Sequence, residues 1–121
     1  MAEWEDFAAC RDHPTPEIFY PRYALGFRIT SEDMVPARRV CAKCPVRRQC
    51  LAHAFGSLHS VRYGIWAGTS PSDRAKVLYR TDRIDYLSRR FDRWIRDDVK
   101  RQADERHDAV LAAAGLGRRN K

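Results

Sequence analysis

Nowhere in its 121 residues does this chain hold an apolar run near the roughly 20 residues that cross a bilayer. No membrane-spanning helix is therefore expected. The opening MAEWEDFAAC is acidic and lacks the basic and apolar segments of a secretory signal. The cytoplasm, where thiols stay reduced, is the expected compartment. There is no internal repeat and no low-complexity tract, so a single small domain is the starting expectation. No helix-turn-helix is evident, which argues against direct readout of base sequence. Cysteine is sparse, with four in the chain, yet three fall within the ten residues CAKCPVRRQC.

In a reducing compartment such a cluster reads as a metal or redox site rather than a disulfide framework. Cys41, Cys44 and Cys50 form C-x2-C-x5-C, and Cys10 is a distant fourth thiol. A C-x2-C pair lets two sulfurs turn toward one centre. Four thiolates suit either Zn2+ or a [4Fe–4S] cube. A zinc ribbon offers two C-x2-C knuckles, and this chain has one. Tetrahedral zinc could instead use Cys41, Cys44, Cys50 and His53, because positions 50 and 53 share a helix face. Against that, His53 reads as a polar residue on an exposed helix face. The spacing alone leaves zinc and iron–sulfur open.

Charged residues make up 32% of the chain and its formal net charge is +7. Residues 1–68 carry 9 Lys/Arg and 7 Asp/Glu, a net of +2, whereas residues 69–121 carry 14 and 9, a net of +5. The basic excess follows the cysteines and points to an anionic partner such as nucleic acid. Residues 1–30 read as irregular, with Phe19 and Tyr20 packing as core. A short helix is expected over 31–40, with Pro36 in its first turn. Another is expected over 45–55, with Pro45 at its first position and Gly56 as its stop. The segment Gly64-Ile65-Trp66-Ala67-Gly68 is a tight turn that displays its tryptophan at or near the surface. Ser70, Pro71 and Asp73 then start a new helix through a capping-box variant. From Thr81 the apolar residues Ile84, Leu87, Phe91, Trp94, Ile95 and Val99 recur at helical spacing. The terminal GLGRRNK should fray.

Trp4 lies six residues before Cys10, and PEIFYP follows that cysteine. Then come C-x2-C-P-V-R-x2-C-L, the GIWAG turn and a basic tail. This order resembles the WhiB-like family, the iron–sulfur transcription regulators of actinobacteria and their phages. The likeness covers residues 4–78. It implies a small all-α, irregular helical domain organised around one [4Fe–4S] cluster, with Cys10, Cys41, Cys44 and Cys50 as ligands. It also implies docking on region 4 of the primary sigma factor of RNA polymerase, with Gly64, Ile65, Trp66, Ala67 and Gly68 contributing. Cluster reaction with oxygen or nitric oxide is the sensing chemistry the family implies. The resemblance points to a regulator rather than an enzyme, with no small-molecule substrate.

Two departures from the family pattern stand out. Thirty residues separate Cys10 from Cys41, so the first thiol arrives on a longer loop. The turn reads GIWAG where a glycine usually replaces Ala67. If that position needs a positive φ, alanine there costs on the order of 1 kcal/mol.

The expected organisation is a cluster-binding domain over 1–80 and an amphipathic, basic helical extension over 81–121. Arg89, Arg90, Arg93, Arg96, Lys100 and Arg101 are the candidate DNA contacts, through phosphates rather than bases. An arginine-glycine-arginine-proline hook for A·T minor grooves is absent. Two other readings compete: a structural zinc module that binds nucleic acid, and a disulfide reductase using Cys41 and Cys44. Pro45 and the missing βαβ context argue against the latter. Trp4 is either a lid beside the cluster or core.

Overall fold

The computed structural model describes residues 3–21, 29–56 and 64–115. It is all-α, as expected. Among the described residues two 3-10 turns, Glu3–Phe7 and Pro16–Phe19, precede four helices: α1 Val35–Ala42, α2 Arg47–Gly56, α3 Pro71–Lys76 and α4 Arg83–Ala113. Among the described residues the β-structure amounts to one isolated bridge, Trp66 to Thr69. No helix among them is long and apolar enough to cross a membrane. The chain divides into two compact units, Met1–Phe91 and Asp92–Lys121, and the division falls within α4.

Helix α1 begins later than its pattern predicted and runs on through Cys41. Residues 31–34 form a turn instead, with Met34 N–H on the Ser31 carbonyl and Val35 N–H on that of Glu32. Thr30 and Asp33 close that turn reciprocally, each side chain accepting from the other's backbone N–H at 3.1 and 2.9 Å. Pro36 sits at the start of α1, where its missing N–H breaks no helical bond. Helix α2 also starts late. Cys50 N–H bonds the Val46 carbonyl at 2.9 Å, so Val46 stands at the helix entry and Pro45 lies just outside.

The first unit's core comprises Leu51 from α2, Ala67 from the turn, Val77 after α3 and Leu87 from α4. Phe19 is buried as expected, whereas Tyr20 is 45% exposed. Tyr20 lies outside the core because its ring covers Gly64: a Cβ there would come within 2.6 Å of the Tyr20 ring. The capping box at α3 is complete. Ser70 Oγ accepts from Asp73 N–H at 3.1 Å, and Asp73 Oδ2 accepts from Ser70 N–H at 2.9 Å.

In α4, Leu87 and Phe91 are buried. Farther along, the stripe loses its cover: Trp94 and Ile95 are half-buried and Val99 is 61% exposed. Two residues past the end of α4, Gly115 has φ +78°, a common way to close a helix. The rest of the GLGRRNK end, where fraying was expected, lies outside the described residues.

Candidate metal centre

Four different local structures carry the four cysteines. Cys10 lies in the turn after the first 3-10 element, Cys41 in the last turn of α1, Cys44 in the link to α2 and Cys50 inside α2. The C-x2-C link is tied down locally. Cys44 N–H bonds the Cys41 carbonyl at 3.0 Å, and Arg47 reaches back to the Ala42 carbonyl at 2.9 Å. All four thiols are free and line one cavity of about 570 Å³. Trp4, Phe19, Trp66 and Ala67 line the same cavity. The distant Cys10 therefore does reach the other three, despite its long loop.

Burial governs the thiols. It pushes Cys41 up to about 12 from the ordinary 9.0, against an opposing hydrogen bond from the Gly68 N–H. Cys50 is also pushed up to about 12, by burial and then by Cys41, against a hydrogen bond from the Ala67 N–H. Cys10 is the open member of the set, and partial burial of its thiol followed by proximity to Cys44 raises it too. Ala9 N–H points at Cys44 Sγ from 3.5 Å. Without a bound cation these buried thiols stay protonated at neutral pH. A cationic group among them would hold them as thiolates.

The Gly64–Gly68 turn forms one wall. Trp66 and Thr69 exchange both backbone hydrogen bonds, at 3.1 and 2.9 Å, around Ala67 and Gly68. The two central residues have φ +52° and +76°. Two-residue hairpin turns of this kind need positive φ at both central positions. Ala67 therefore carries the left-handed conformation at a cost of about 1 kcal/mol. Its buried methyl group offsets much of that, since a buried methyl-sized group contributes about 0.8 kcal/mol. Gly68 has no such latitude, because a Cβ there would come within 2.5 Å of the Phe91 ring.

Three aromatic rings stand in sequence on this unit. His53 lies 5.8 Å from Trp4 and 5.5 Å from Trp66, centroid to centroid. His53 is on an exposed helix position, as its spacing implied, yet it sits between two indoles. Trp66 is half-buried. Among the described residues no group of three or more His, Cys, Asp or Glu is arranged to hold a metal ion.

Sequence reasoning missed the arginines behind the turn. Arg74 has no exposed surface. Its guanidinium donates to the Thr69 carbonyl at 2.7 Å, to Thr69 Oγ1 at 3.0 Å and to the Gly64 carbonyl at 2.9 Å. Burial lowers it to about 10, still a cation at neutral pH. Arg38 Nε donates to the Gly68 carbonyl at 2.9 Å. Neither arginine has a periodicity or spacing that separates it from the many exposed ones.

The candidate DNA-contacting residues Arg89, Arg90, Arg93, Arg96, Lys100 and Arg101 are all exposed on α4. At 100° per residue, positions 89, 93, 96 and 100 fall on one face. Arg89 is 3.8 Å from Asp82, and Arg101 pairs with Asp98 at 2.7 Å.

Comparison with known proteins places this arrangement. The family described as transcription factor WhiB matches residues 4–77, which takes in all four cysteines and the turn and stops before α4. Transcriptional regulator WhiD of Streptomyces coelicolor is 32% identical over 78 residues, 64% of this chain and 67% of that one. Transcriptional regulator WhiB2 of Bifidobacterium longum is 40% identical over 73 residues, 60% of this chain and 64% of that one. The redox-responsive transcriptional regulator WhiB3 of Mycolicibacterium smegmatis is 33% identical over 78 residues, 64% of this chain and 78% of that one. The cysteine-lined cavity, its tryptophan turn and a match over more than half the chain lead to one conclusion: this chain belongs to the WhiB family.

Proposed function

We propose that the protein is a non-enzymatic transcription regulator that holds one [4Fe–4S] cluster on Cys10, Cys41, Cys44 and Cys50. The observation that carries this reading is the single cavity lined by all four thiols and by Trp66. The donor set fits the group. A lone zinc ion needs each sulfur about 2.3 Å away, which brings the sulfurs within about 4 Å of one another. A cavity of about 570 Å³ lined by four thiols has room for a body larger than one ion. The Ala9 N–H points at Cys44 Sγ from 3.5 Å and suits thiolate charge. When bound, the cluster would supply the sensitivity to oxygen, nitric oxide or redox poise that makes the protein a sensor.

The turn Gly64–Gly68 would dock on region 4 of the primary sigma factor, with Trp66 as the anchor. A half-buried tryptophan held by a hairpin is rigid, and rigid aromatic anchors carry a large share of small interfaces. The α4 face of Arg89, Arg93, Arg96 and Lys100 would contact promoter phosphates, with Arg90 and Arg101 flanking. The relatives are named transcriptional regulators, one of them redox-responsive, which supports the reading.

Anaerobic purification tests it. The protein should be brown, with about four iron and four sulfide per chain. Trp66→Ala should weaken binding to sigma region 4 by roughly 2 kcal/mol or more with the visible spectrum retained. Stoichiometric zinc without sulfide would sink the cluster and favour a structural zinc module.

A further inference from the structure

One wall of the thiol cavity comes from the N-terminal segment, through Trp4, Glu5, Asp6, Ala8, Cys10 and Arg11. The segment is stiffened within itself. Ala8 N–H bonds the Glu5 carbonyl at 3.2 Å, Arg11 N–H the Ala8 carbonyl at 3.1 Å and His13 N–H the Cys10 carbonyl at 3.2 Å. The Arg11 guanidinium adds a bond to Asp6 at 2.6 Å. A displacement of Trp4 is therefore felt at Cys10. The ties of this segment to the helices include Ala9 N–H, 3.5 Å from Cys44 Sγ, and the Trp4 ring on His53.

His53 lies three residues past Cys50 on α2, at an exposed position. A merely solvated histidine would leave its ring in water. This ring instead lies 5.8 Å from that of Trp4 and 5.5 Å from that of Trp66, tilted by 57° and 38°. Both separations are ones at which aromatic pairs attract. Trp66 is the fixed post of the three. Its Nε1 lies 3.2 Å from where a Gly64 Cβ would stand, so the indole rests against the backbone of the turn. We infer that His53 is a positioning residue for the cavity: its ring clamps the segment that carries Cys10 to the tryptophan turn and keeps that wall closed over the thiols. The clamp acts through ring contact, not through a ligand bond, and it stands whatever the cavity holds. Phenylalanine at this position should preserve it and alanine should abolish it. Alanine is also the better helix former, so a loss in His53→Ala does not come from a weakened α2.

Amide hydrogen exchange on the anaerobically isolated full chain tests the clamp. Ala8, Ala9, Arg11 and His13 report on the wall, and Leu51 and Ala54 report on α2. His53→Ala and Trp4→Ala should each speed exchange of the wall amides about fivefold, the size expected for one aromatic pair, with the α2 amides unchanged. His53→Phe should stay within about twofold of wild type. The double variant should be no faster than either single one, because both remove the same contact. If His53→Ala does not fold, His53→Gln, which also lacks the aromatic ring, takes its place. Wild-type rates in the ring-less variant overturn the inference. So do equal acceleration in His53→Phe, accelerations that multiply in the double variant, or faster exchange throughout α2. Iron is measured on the same samples. If wild type carries none, the proposed cluster fails, and the exchange comparison still decides the clamp.

Discussion

Around the thiol cavity, arginines turn inward onto backbone. Arg74, Arg38 and Arg47 give their N–H groups to carbonyls of Gly64, Thr69, Gly68 and Ala42. Along residues 92–113 most charged side chains are exposed, Arg93, Arg96 and Lys100 among them. Buried cation-to-carbonyl bonds have no competing water and a fixed geometry, so each residue is hard to replace. Exposed ion pairs lose most of their attraction to solvent and contribute about 1 kcal/mol or less. The two regions therefore carry information differently. The cavity end depends on particular residues, and the distal helix depends on a pattern.

The largest contrast should come from single substitutions. Gly68→Ala forces an alanine to φ +76° and drives a methyl group into the Phe91 ring at 2.5 Å. The combined strain and overpacking should cost about 2–4 kcal/mol. Val99→Ala or Arg96→Ala on exposed α4 should stay within about 0.5 kcal/mol. Anaerobic denaturant titration of the three variants measures the difference. Equal losses would erase the distinction between the regions.

Alkaline titration of the metal-free protein gives the next effect. Folded Cys41 and Cys50 titrate near 12, and an unfolded thiol near 9.0. Between these values the unfolded chain binds fewer protons than the folded one, so stability falls as pH rises. The contribution is fully present below pH 9 and is lost progressively toward 12. Helical content monitored across this window should decline at the cavity end first. Cys41→Ala and Cys50→Ala variants should show a shallower decline.

The smallest effect belongs to the distal face. Neutralising Arg89, Arg93 and Arg96 should lower the slope of log promoter affinity against log salt by up to about 3, near one unit per lost phosphate contact. The loss should be alike across promoter sequences, since phosphates carry no base identity. Sigma binding should not change. An unaltered slope would leave these arginines as a solvated face. Loss at some promoters alone would mean base readout.

Much of the local structure was legible because it is written in near neighbours. Pro36, Pro71, Ser70 and Asp73 marked helix starts through groups within four residues, and the 3.6-residue spacing from Ile84 marked α4. Errors arose where a distant contact decided the outcome. Tyr20 follows a buried phenylalanine in a short aromatic run, and nothing local says that it covers Gly64 instead of entering the core. The late starts of α1 and α2 are local exceptions: the Thr30–Asp33 turn precedes α1, and the Cys50 N–H to Val46 carbonyl bond marks the entry of α2.

By itself, the sequence determined the four thiols, a glycine-bounded tryptophan turn and the amphipathic period of the last helix, while the all-α class came through the family resemblance. The first three rest on short-range chemistry: hydrogen-bond closure, steric limits on φ and alternation of apolar residues. Only the tertiary structure decided that Cys10 reaches the other thiols across thirty intervening residues. It also decided that Ala67 takes a positive φ and that Arg74, alike in sequence to the surface arginines, is wholly buried. Those outcomes follow from long-range packing. Arg74 finds its place only when the carbonyls of Gly64 and Thr69 meet its guanidinium.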